Sequence, residues 1–370
     1  MTWDVITKPP PAGPAPVLHD YVAARSTYDW TTARRGLAGM SDGGVNMAFE
    51  AVDRHVRDGR GQVVALRFLA ASGVDEELTY AELSAESNRF ANVLASLGVA
   101  AGETVFGLMG RRPALYAGTI GTLKNRSVFC PMFSAFGPQP VRQRMQLGAA
   151  SVLLTTPQLY RKKVAPIRGE LASLRHVLLV GEGQERVDDP TAIDLDAAMA
   201  HASDVFDIAH TDPEDMALLH FTSGTTGAPK GVVHVHDAVA AHLQTARLVL
   251  DLHDDDTFWC TADPGWVTGM SYGIIAPLAC GVTSVVDELE FDADRWYTIL
   301  QEQAVTVWYT APTALRMLMR GGIERALVHD LSTLRHVASV GEPLNPEIVA
   351  WGLEALHRPV HDTWWQTETG

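Results

Sequence analysis

Short, continuously apolar runs recur along the chain and predict buried strands. They lie at residues 104–110, 151–156, 176–181, 216–221, 283–286, 305–310 and 336–341. Runs of this length and composition are typical of parallel strands covered on both faces. Stretches with helical spacing separate several of them, among them residues 311–320 and 345–356. The alternation of strand and helix predicts an α/β fold with parallel sheets.

One helix is marked at both of its ends. Thr79 is followed three residues later by Glu82, which is the pattern of a capping box. Apolar side chains then recur at helical spacing from Leu83 to Leu97, and Gly98 follows as a stop signal. The sequence therefore predicts a helix that begins after Thr79 and ends at Gly98.

The chain divides into an arm and two larger regions. Prolines crowd residues 8–16, where they disfavour both a helix and a central strand. We expect an N-terminal arm over 1–40, a first α/β subdomain over 41–205 and a second over 206–370. An acidic stretch with few apolar residues, 185–215, suits a bridge between the two.

Composition narrows the possible functions. The 370 residues are 46% hydrophobic and 20% charged, and the net charge is −15. These values are ordinary for a globular protein. The acidic balance argues against a general nucleic-acid binder, because such proteins need a basic surface to displace counterions. An anionic small-molecule substrate stays possible, since one pocket can be positive on an acidic protein.

Cysteine usage and the N-terminus indicate a compartment. Cys130, Cys260 and Cys280 show no paired spacing, which favours a reducing environment. The first residues lack the basic start and apolar run of a signal peptide. No apolar stretch reaches the length of about 18 residues that a membrane span needs. We expect a cytoplasmic protein that does not bind membranes; its oligomeric state is open.

Residues 222–231, TSGTTGAPKG, directly follow a predicted strand. Glycines there allow backbone N–H groups to turn inward around phosphate oxygens, and Lys230 adds a positive charge. Hydroxyl groups come from Thr222, Ser223, Thr225 and Thr226. The stretch predicts a cradle for a polyphosphate, although it lacks the Gly-Lys-Ser/Thr ending of a Walker A loop. The alternative is a surface turn rich in serine, threonine and glycine.

Five segments occur together in an order that resembles a known family. They are FTSGTTGAPKGVVH (221–234), CTADPGWVTGMSYG (260–273), WYTAPTALRML (308–318), SVGEPLNPE (339–347) and HDTWWQTETG (361–370). The set resembles the adenylate-forming superfamily, and within it the AMP-forming acetyl-CoA synthetases. The resemblance implies two doubly wound, largely parallel sheet subdomains that form the large N-terminal domain of that superfamily.

The same resemblance implies a site for Mg²⁺ and ATP. The phosphate loop would supply Thr222, Ser223, Gly224, Thr225, Thr226, Gly227 and Lys230. The turn against the adenine would be Gly341, Glu342 and Pro343. The segment that packs on the base and reaches the α-phosphate would be Asp362, Thr363, Trp364, Trp365, Gln366 and Thr367. Glu368 would hold Mg²⁺ and, with Thr225 and Lys230, take part in catalysis. Alternatively, Glu342 opens an ordinary turn and the tryptophans are core aromatics.

An acid pocket is also implied. In relatives that use acetate, a tryptophan closes the pocket floor, and Trp365 matches it. The other walls match Trp266, Val267, Thr268 and Val340. A bulky floor leaves room for two or three carbons, since overpacking typically costs about 1–3 kcal/mol or more. The resemblance thus implies acetate as substrate, with propionate poorer.

Coenzyme A would enter near Thr268. Arg161 begins a short basic run that would meet the nucleotide phosphates of coenzyme A, although a solvated charged face is the more usual explanation for such a run. His234 and His236 lack metal-ligand partners at suitable spacing, and we assign them structural roles.

The implied reaction has two steps, adenylation of acetate by ATP and transfer of the acetyl group to coenzyme A. The family continues well beyond the TETG segment, so we expect this chain to be part of a longer acetate–CoA ligase. Met270 departs from the family pattern, which commonly has a histidine there. Two alternatives stay open: a ligase for a medium-chain or other acid, and a nucleotide-binding fragment without catalytic activity.

Overall fold

The structure is a computed structural model that describes residues 5–6, 13–181, 187–223 and 228–369. Within these residues the strands form two sheets of seven strands each. In chain order the strands are β1 (Val64–Leu69), β2 (Glu76–Thr79), β3 (Thr104–Leu108), β4 (Val128–Met132), β5 (Val152–Thr155), β6 (His176–Leu179), β7 (Ala192–Asp194), β8 (Met216–Ser223), β9 (Pro229–Val235), β10 (Thr257–Cys260), β11 (Thr283–Asp287), β12 (Val307–Thr310), β13 (His336–Ser339) and β14 (Val360–Asp362).

Both sheets are largely parallel, as the apolar runs predict. The first has the order β14-β13-β12-β10-β11-β1-β2, and the second β7-β6-β5-β3-β4-β8-β9. Each sheet carries one antiparallel strand at an edge: β2 pairs with β1, and β9 pairs with β8. Every predicted apolar run contains one of the parallel strands. The prediction of two largely parallel sheets in an α/β fold is confirmed.

The two sheets interleave along the chain. Strands β1 and β2 belong with β10–β14, because β1 pairs in parallel with β11. Strands β8 and β9 belong with β3–β7, because β8 pairs with β4. Sheet membership therefore does not divide at residue 205, where the sequence pattern places a boundary between subdomains. The sheet to which a strand belongs depends on pairing with strands that are distant in sequence, and the local sequence pattern does not indicate that pairing. Where the subdomains divide stays a prediction.

Helices cover the sheets. The α-helices are α1 (Tyr21–Thr27), α2 (Trp30–Arg34), α3 (Arg54–Arg57), α4 (Tyr80–Ser96), α5 (Pro113–Lys124), α6 (Pro138–Leu147), α7 (Pro157–Leu159), α8 (Leu195–His201), α9 (Ala238–Leu248), α10 (Val267–Met270), α11 (Ala276–Cys280), α12 (Ala293–Glu302), α13 (Pro312–Arg320), α14 (Glu324–Leu327) and α15 (Pro346–Ala355). Turns of π-helix span Phe49–Asp53, Tyr160–Val164 and Ser271–Ile275, and turns of 3₁₀-helix span Ala165–Glu170 and Thr367–Thr369.

The predicted capping box opens α4. The Thr79 hydroxyl accepts a hydrogen bond from the Glu82 amide, and the Glu82 carboxylate accepts one from the Thr79 amide. Leu83, Phe90 and Leu94 lie on the buried face of this helix. Parts of the predicted arm are also helical, since it contains α1 and α2. In the described part of the chain, no helix combines the length and apolarity needed to cross a membrane.

Candidate functional site

The chain reverses its winding direction at β10, which lies between β11 and β12. Ligands of open α/β sheets bind outside the carboxyl ends of the strands at such a switch point. Arg111 reaches into this crevice, where its guanidinium donates to the carbonyl oxygens of Asp287 and Thr261 at 3.3 and 3.2 Å. A cavity of about 240 Å³ lies here, lined in part by Cys260, Thr261 and Ala311. It contains none of the residues that the sequence predicts for the acid pocket.

The DPGW turn leaves β10 beside this crevice. The Asp263 carboxylate accepts a hydrogen bond from the Gly265 amide at 2.7 Å, and its carbonyl accepts one from the Trp266 amide at 3.0 Å. Burial raises the pKa of the Asp263 carboxyl. A Cβ atom on Gly265 would lie 2.4 Å from the backbone of Phe133, so only glycine permits this approach. The turn is thereby fixed against the residues that follow β4.

Trp266 presents an aromatic surface at the start of α10. Its side chain is 44% exposed, and its ring lies 5.5 Å from that of Phe133 and 5.8 Å from that of Phe136. Val267 and Thr268 form the first turn of α10 and are partly buried. Three of the four predicted wall residues are therefore consecutive at one helix N-terminus.

Trp365 packs on the continuation of the same helix. Its ring meets the ring of Tyr272 edge to face at 4.8 Å, and Tyr272 is fixed by a hydrogen bond of 2.8 Å between its hydroxyl and that of Thr245. Trp365 is partly buried against the hydrophobic core that also contains Val340. The predicted floor and this wall residue thus pack on one core.

The predicted phosphate loop joins β8 and β9, which form an antiparallel hairpin. Thr222 lies opposite Lys230, and Ser223 lies opposite Pro229. Thr222 is partly buried, whereas the Lys230 side chain is exposed. The hairpin thus pairs Thr222 with Lys230 at the entrance to the loop. The remaining predicted residues of the loop lie outside the described residues: Gly224, Thr225, Thr226 and Gly227.

The predicted adenine turn follows β13. Gly341 has a φ of +94°, a left-handed conformation that favours glycine. The Glu342 carboxylate accepts hydrogen bonds from the Thr313 hydroxyl at 2.6 and 2.8 Å, and it pairs with Arg316. These hydrogen bonds from Thr313 and then Arg316 lower the pKa of Glu342. Pro343 is exposed. Helix α13 therefore fixes the turn and leaves its surface open.

The segment that follows β14 is fixed at its start. The Thr363 amide and hydroxyl both donate to the Ser339 carbonyl, at 2.9 and 2.8 Å. Trp364 is 80% exposed, a large fraction for a tryptophan. Asp362, Gln366 and Glu368 are also exposed. The segment therefore presents an aromatic face, an amide and two carboxylates to solvent.

A histidine brings the hairpin and this segment together. The Nε2 atom of His234, on β9, lies 2.7 Å from the carbonyl oxygen of Thr367. His236 has another role, since its Nδ1 atom accepts a hydrogen bond from the Met47 amide at 2.9 Å. Halves of the predicted nucleotide site that come from different sheets are in contact here.

Arg161 lies on the π-helical turn Tyr160–Val164 and is exposed. On the same turn, the Lys163 ammonium donates to the Ser134 carbonyl. Ser134 follows Phe133, which packs on Trp266. The turn that carries Arg161 is thus tied to the loop beside the predicted acid pocket.

Metal ligands are sparse in the described part of the chain. It contains no group of three or more histidine, cysteine, aspartate or glutamate side chains arranged to hold a metal. Mg²⁺ commonly binds through one or two carboxylates plus substrate phosphates and waters. The exposed carboxylate of Glu368 is a hard oxygen donor of this kind.

Sequence reasoning missed four residues that shape the site. Arg111 bridges two strands at the switch point, Tyr272 supports Trp365, Arg316 fixes Glu342, and His234 contacts Thr367. Arg316, Tyr272 and His234 lie inside quoted segments, so their position was a usable signal. Arg111 stands outside every motif, and only the fold brings it to the crevice.

The chain was compared with known proteins in sequence and in fold. The family model described as "AMP-binding enzyme" matches residues 52–370. The acetyl-coenzyme A synthetase of Bacillus subtilis (strain 168) is 44% identical over 354 residues, covering 95% of this chain and 61% of that protein. Acetyl-coenzyme A synthetase of Streptomyces coelicolor is 37% identical, covering 93% of this chain and 56% of that protein.

A solved structure shows the same fold. The crystal structure of a Brucella canis acyl-CoA synthetase superposes with a TM-score of 0.87 at 35% identity, covering 94% of this chain and 62% of that one. The chain belongs to the AMP-binding enzyme family. It spans about half to three-fifths of the length of the curated relatives that it matches.

Proposed function

We propose that this chain forms the ATP- and acid-binding part of an AMP-forming acetate–CoA ligase. The observation that carries the proposal is the meeting of two elements. The β8–β9 hairpin bears Lys230, the segment after β14 bears Glu368, and the contact between His234 and Thr367 joins them. The names of the relatives, acetyl-coenzyme A synthetases, support the same activity.

In the first step, an acetate oxygen attacks the α-phosphorus of ATP. A bond forms between that oxygen and the phosphorus, the bond to the β-phosphate oxygen breaks, and pyrophosphate leaves. No general base is needed, because acetate is already ionised near neutral pH. Catalysis then depends on positioning and on neutralising charge. Lys230 and Thr222 would bind the departing phosphates, together with Thr225, which lies outside the described residues.

The adenine of ATP would lie between two solvent-exposed surfaces. The turn Gly341–Glu342–Pro343 is fixed from behind by Arg316. The exposed ring of Trp364 would cover the other side, and burying it on a purine would remove a large apolar area from water. The neighbouring residues Asp362, Thr363, Gln366 and Thr367 would line the path to the α-phosphate.

The acid would lie between α10 and Trp365. Trp266, Val267, Thr268 and Val340 would form its walls. Because Trp365 is held by Tyr272, it cannot rotate away without losing that contact. A fixed floor favours acetate over longer acids, since an added methylene would have to displace packed atoms.

In the second step, the thiol of coenzyme A attacks the acyl carbon, and AMP leaves. The exposed guanidinium of Arg161 would bind the nucleotide phosphates of coenzyme A, and Thr268 would lie near the thiol. Glu368 would hold Mg²⁺, which supplies positive charge beside the triphosphate. We also propose a cytoplasmic location, supported by the free cysteines Cys130, Cys260 and Cys280.

Isotope exchange tests the proposal. In the whole protein that contains this chain, labelled pyrophosphate should enter ATP only when acetate is present, and Lys230→Ala should abolish the exchange. Lys162→Ala, on the exposed basic run, serves as a control for loss of a surface charge. Exchange that needs hexanoate rather than acetate would favour the medium-chain alternative. Absence of exchange with either acid would refute the ligase.

A further inference from the structure

The proposed nucleotide site has two halves that belong to different sheets. The phosphate hairpin is the edge of the sheet that contains β3–β9, whereas Glu368 follows β14 at the edge of the other sheet. His234 lies on β9, and its Nε2 atom is 2.7 Å from the Thr367 carbonyl oxygen. This hydrogen bond crosses from one sheet to the segment that extends the other.

The bond has a defined direction. A carbonyl oxygen only accepts, so the proton must lie on Nε2, and His234 donates. Its Nδ1 atom is buried and has no hydrogen-bond partner among the described residues. Burial lowers the pKa of His234, which favours the neutral ring. The structure therefore assigns one tautomer to this side chain.

Neighbouring rings hold the imidazole in place. The ring of His220 lies 4.9 Å from that of His234, and the ring of His242 lies 5.7 Å from it. His234 is 4% exposed. A side chain packed in this way loses little conformational entropy when it forms its hydrogen bond, so the donor is preorganised.

The acceptor is the peptide oxygen directly before Glu368. Thr367 opens a single 3₁₀ turn, which is closed by a hydrogen bond of 3.0 Å from the Thr369 amide to the Gln366 carbonyl. Glu368 is exposed on this turn. Short turns with exposed side chains open easily. A hydrogen bond to the carbonyl of Thr367 therefore limits where the Glu368 carboxylate can lie.

We propose that His234 is a positioning residue, which holds the turn that carries Glu368 against the phosphate hairpin so that Mg²⁺ and the triphosphate are bound together. This inference rests on the proposed function, in which the hairpin binds phosphates and Glu368 holds the metal. It predicts that His234 contributes only to the gain in ATP affinity that Mg²⁺ provides.

The first test needs no ligand. His234→Phe keeps an aromatic ring between the neighbouring imidazoles and removes the donor, whereas His234→Gln keeps an N–H group. Hydrogen exchange should be faster at the Thr369 amide in His234→Phe, by about five-fold for the loss of one hydrogen bond, and should return toward the original rate in His234→Gln. His242→Phe, an equal change in the adjacent ring, should leave that amide unchanged.

The second test measures ATP affinity with Mg²⁺ and with EDTA. His234→Phe should weaken binding about five-fold in Mg²⁺ and leave binding in EDTA unchanged. In the Glu368→Gln background, adding His234→Phe should produce no further loss, because the two changes remove the same contribution. A merely structural role would weaken binding equally with and without the metal.

The outcomes separate this inference from the function on which it rests. If the original chain binds no ATP under either condition, the proposed function fails. The exchange rate at the Thr369 amide then tests by itself whether His234 holds the turn. Equal exchange at Thr369 in His234→Phe and the original chain would overturn the inference. So would a loss of affinity from His234→Phe that persists in the Glu368→Gln background.

Discussion

The buried imidazoles of this fold make its stability depend on pH, and His242 offers the clearest case. The side chain is fully buried on α9, and neither of its ring nitrogens has a hydrogen-bond partner among the described residues. The rings of His234 and Tyr272 face it at 5.7 and 6.0 Å. Burial, and then the neighbouring His234, lower the pKa of His242 to about 3.

The sign of the effect follows from linkage. The unfolded chain binds a proton at His242 near pH 6.5, whereas the folded chain binds it only near pH 3. Between these values the unfolded state holds more protons, so stability falls as the pH falls. One pKa unit corresponds to about 1.4 kcal/mol, and lowering the pH from about 7.5 to about 5 therefore costs about 2 kcal/mol at this one residue.

His242→Phe removes the titrating nitrogens and keeps a ring. The unfolding free energy of the original chain should fall as the pH is lowered from about 7.5 to about 5. In His242→Phe we expect this fall to be smaller by roughly 2 kcal/mol. Near pH 7.5 the variant should be as stable as the original or slightly more so, because it removes two buried polar atoms that lack partners. Urea denaturation followed by circular dichroism at both pH values measures the difference.

An exposed imidazole supplies the control. His19 is exposed, so His19→Phe should not change how stability depends on pH. The reasoning would be refuted if His242→Phe lost as much stability in acid as the original chain. It would also be refuted if His19→Phe gave the same protection as His242→Phe.

Two further predictions concern the acid pocket and a buried charge. In the whole protein, Trp365→Gly should shift preference from acetate toward butyrate by about ten-fold, since each buried methylene contributes about 0.8 kcal/mol. The ratio of the pyrophosphate exchange rates with butyrate and with acetate measures this preference, and an unchanged ratio would contradict the prediction. Lys124→Met should lower the unfolding free energy by about 3–5 kcal/mol, because the buried ammonium binds Asp53 at 2.7 Å and its loss leaves a carboxylate unpaired. Adding Asp53→Asn should recover most of that loss, and no recovery on urea denaturation would contradict the explanation.

Local sequence patterns predicted the elements of the fold better than their arrangement. The capping box at Thr79 and the parallel apolar runs depend on neighbouring residues, and the structure confirms both. The pairing of β1 with β11 joins residues more than 200 positions apart. Nothing in either strand specifies that partner, because many apolar runs would fit the same edge.

The site shows the same limit. The ordered segments marked the residues that we propose to contact ATP and Mg²⁺, such as Lys230 and Glu368. They did not mark the residues that hold those segments in place. The sequence pattern assigns His234 a structural role, because no metal-ligand partners stand at suitable spacing, but it does not show what the side chain packs against. Its contact with Thr367 depends on two sheets that meet, which local spacing does not encode.

The central claim is that the β8–β9 hairpin and the segment after β14 bind one Mg²⁺–ATP between them. A crystal structure of this chain with Mg²⁺ and a non-hydrolysable ATP analogue tests it most directly. We expect the phosphates within hydrogen-bond distance of Lys230 and Thr222, the purine between Trp364 and the turn at Gly341, and the metal on Glu368. A nucleotide bound elsewhere, or phosphates remote from Lys230, would contradict the claim.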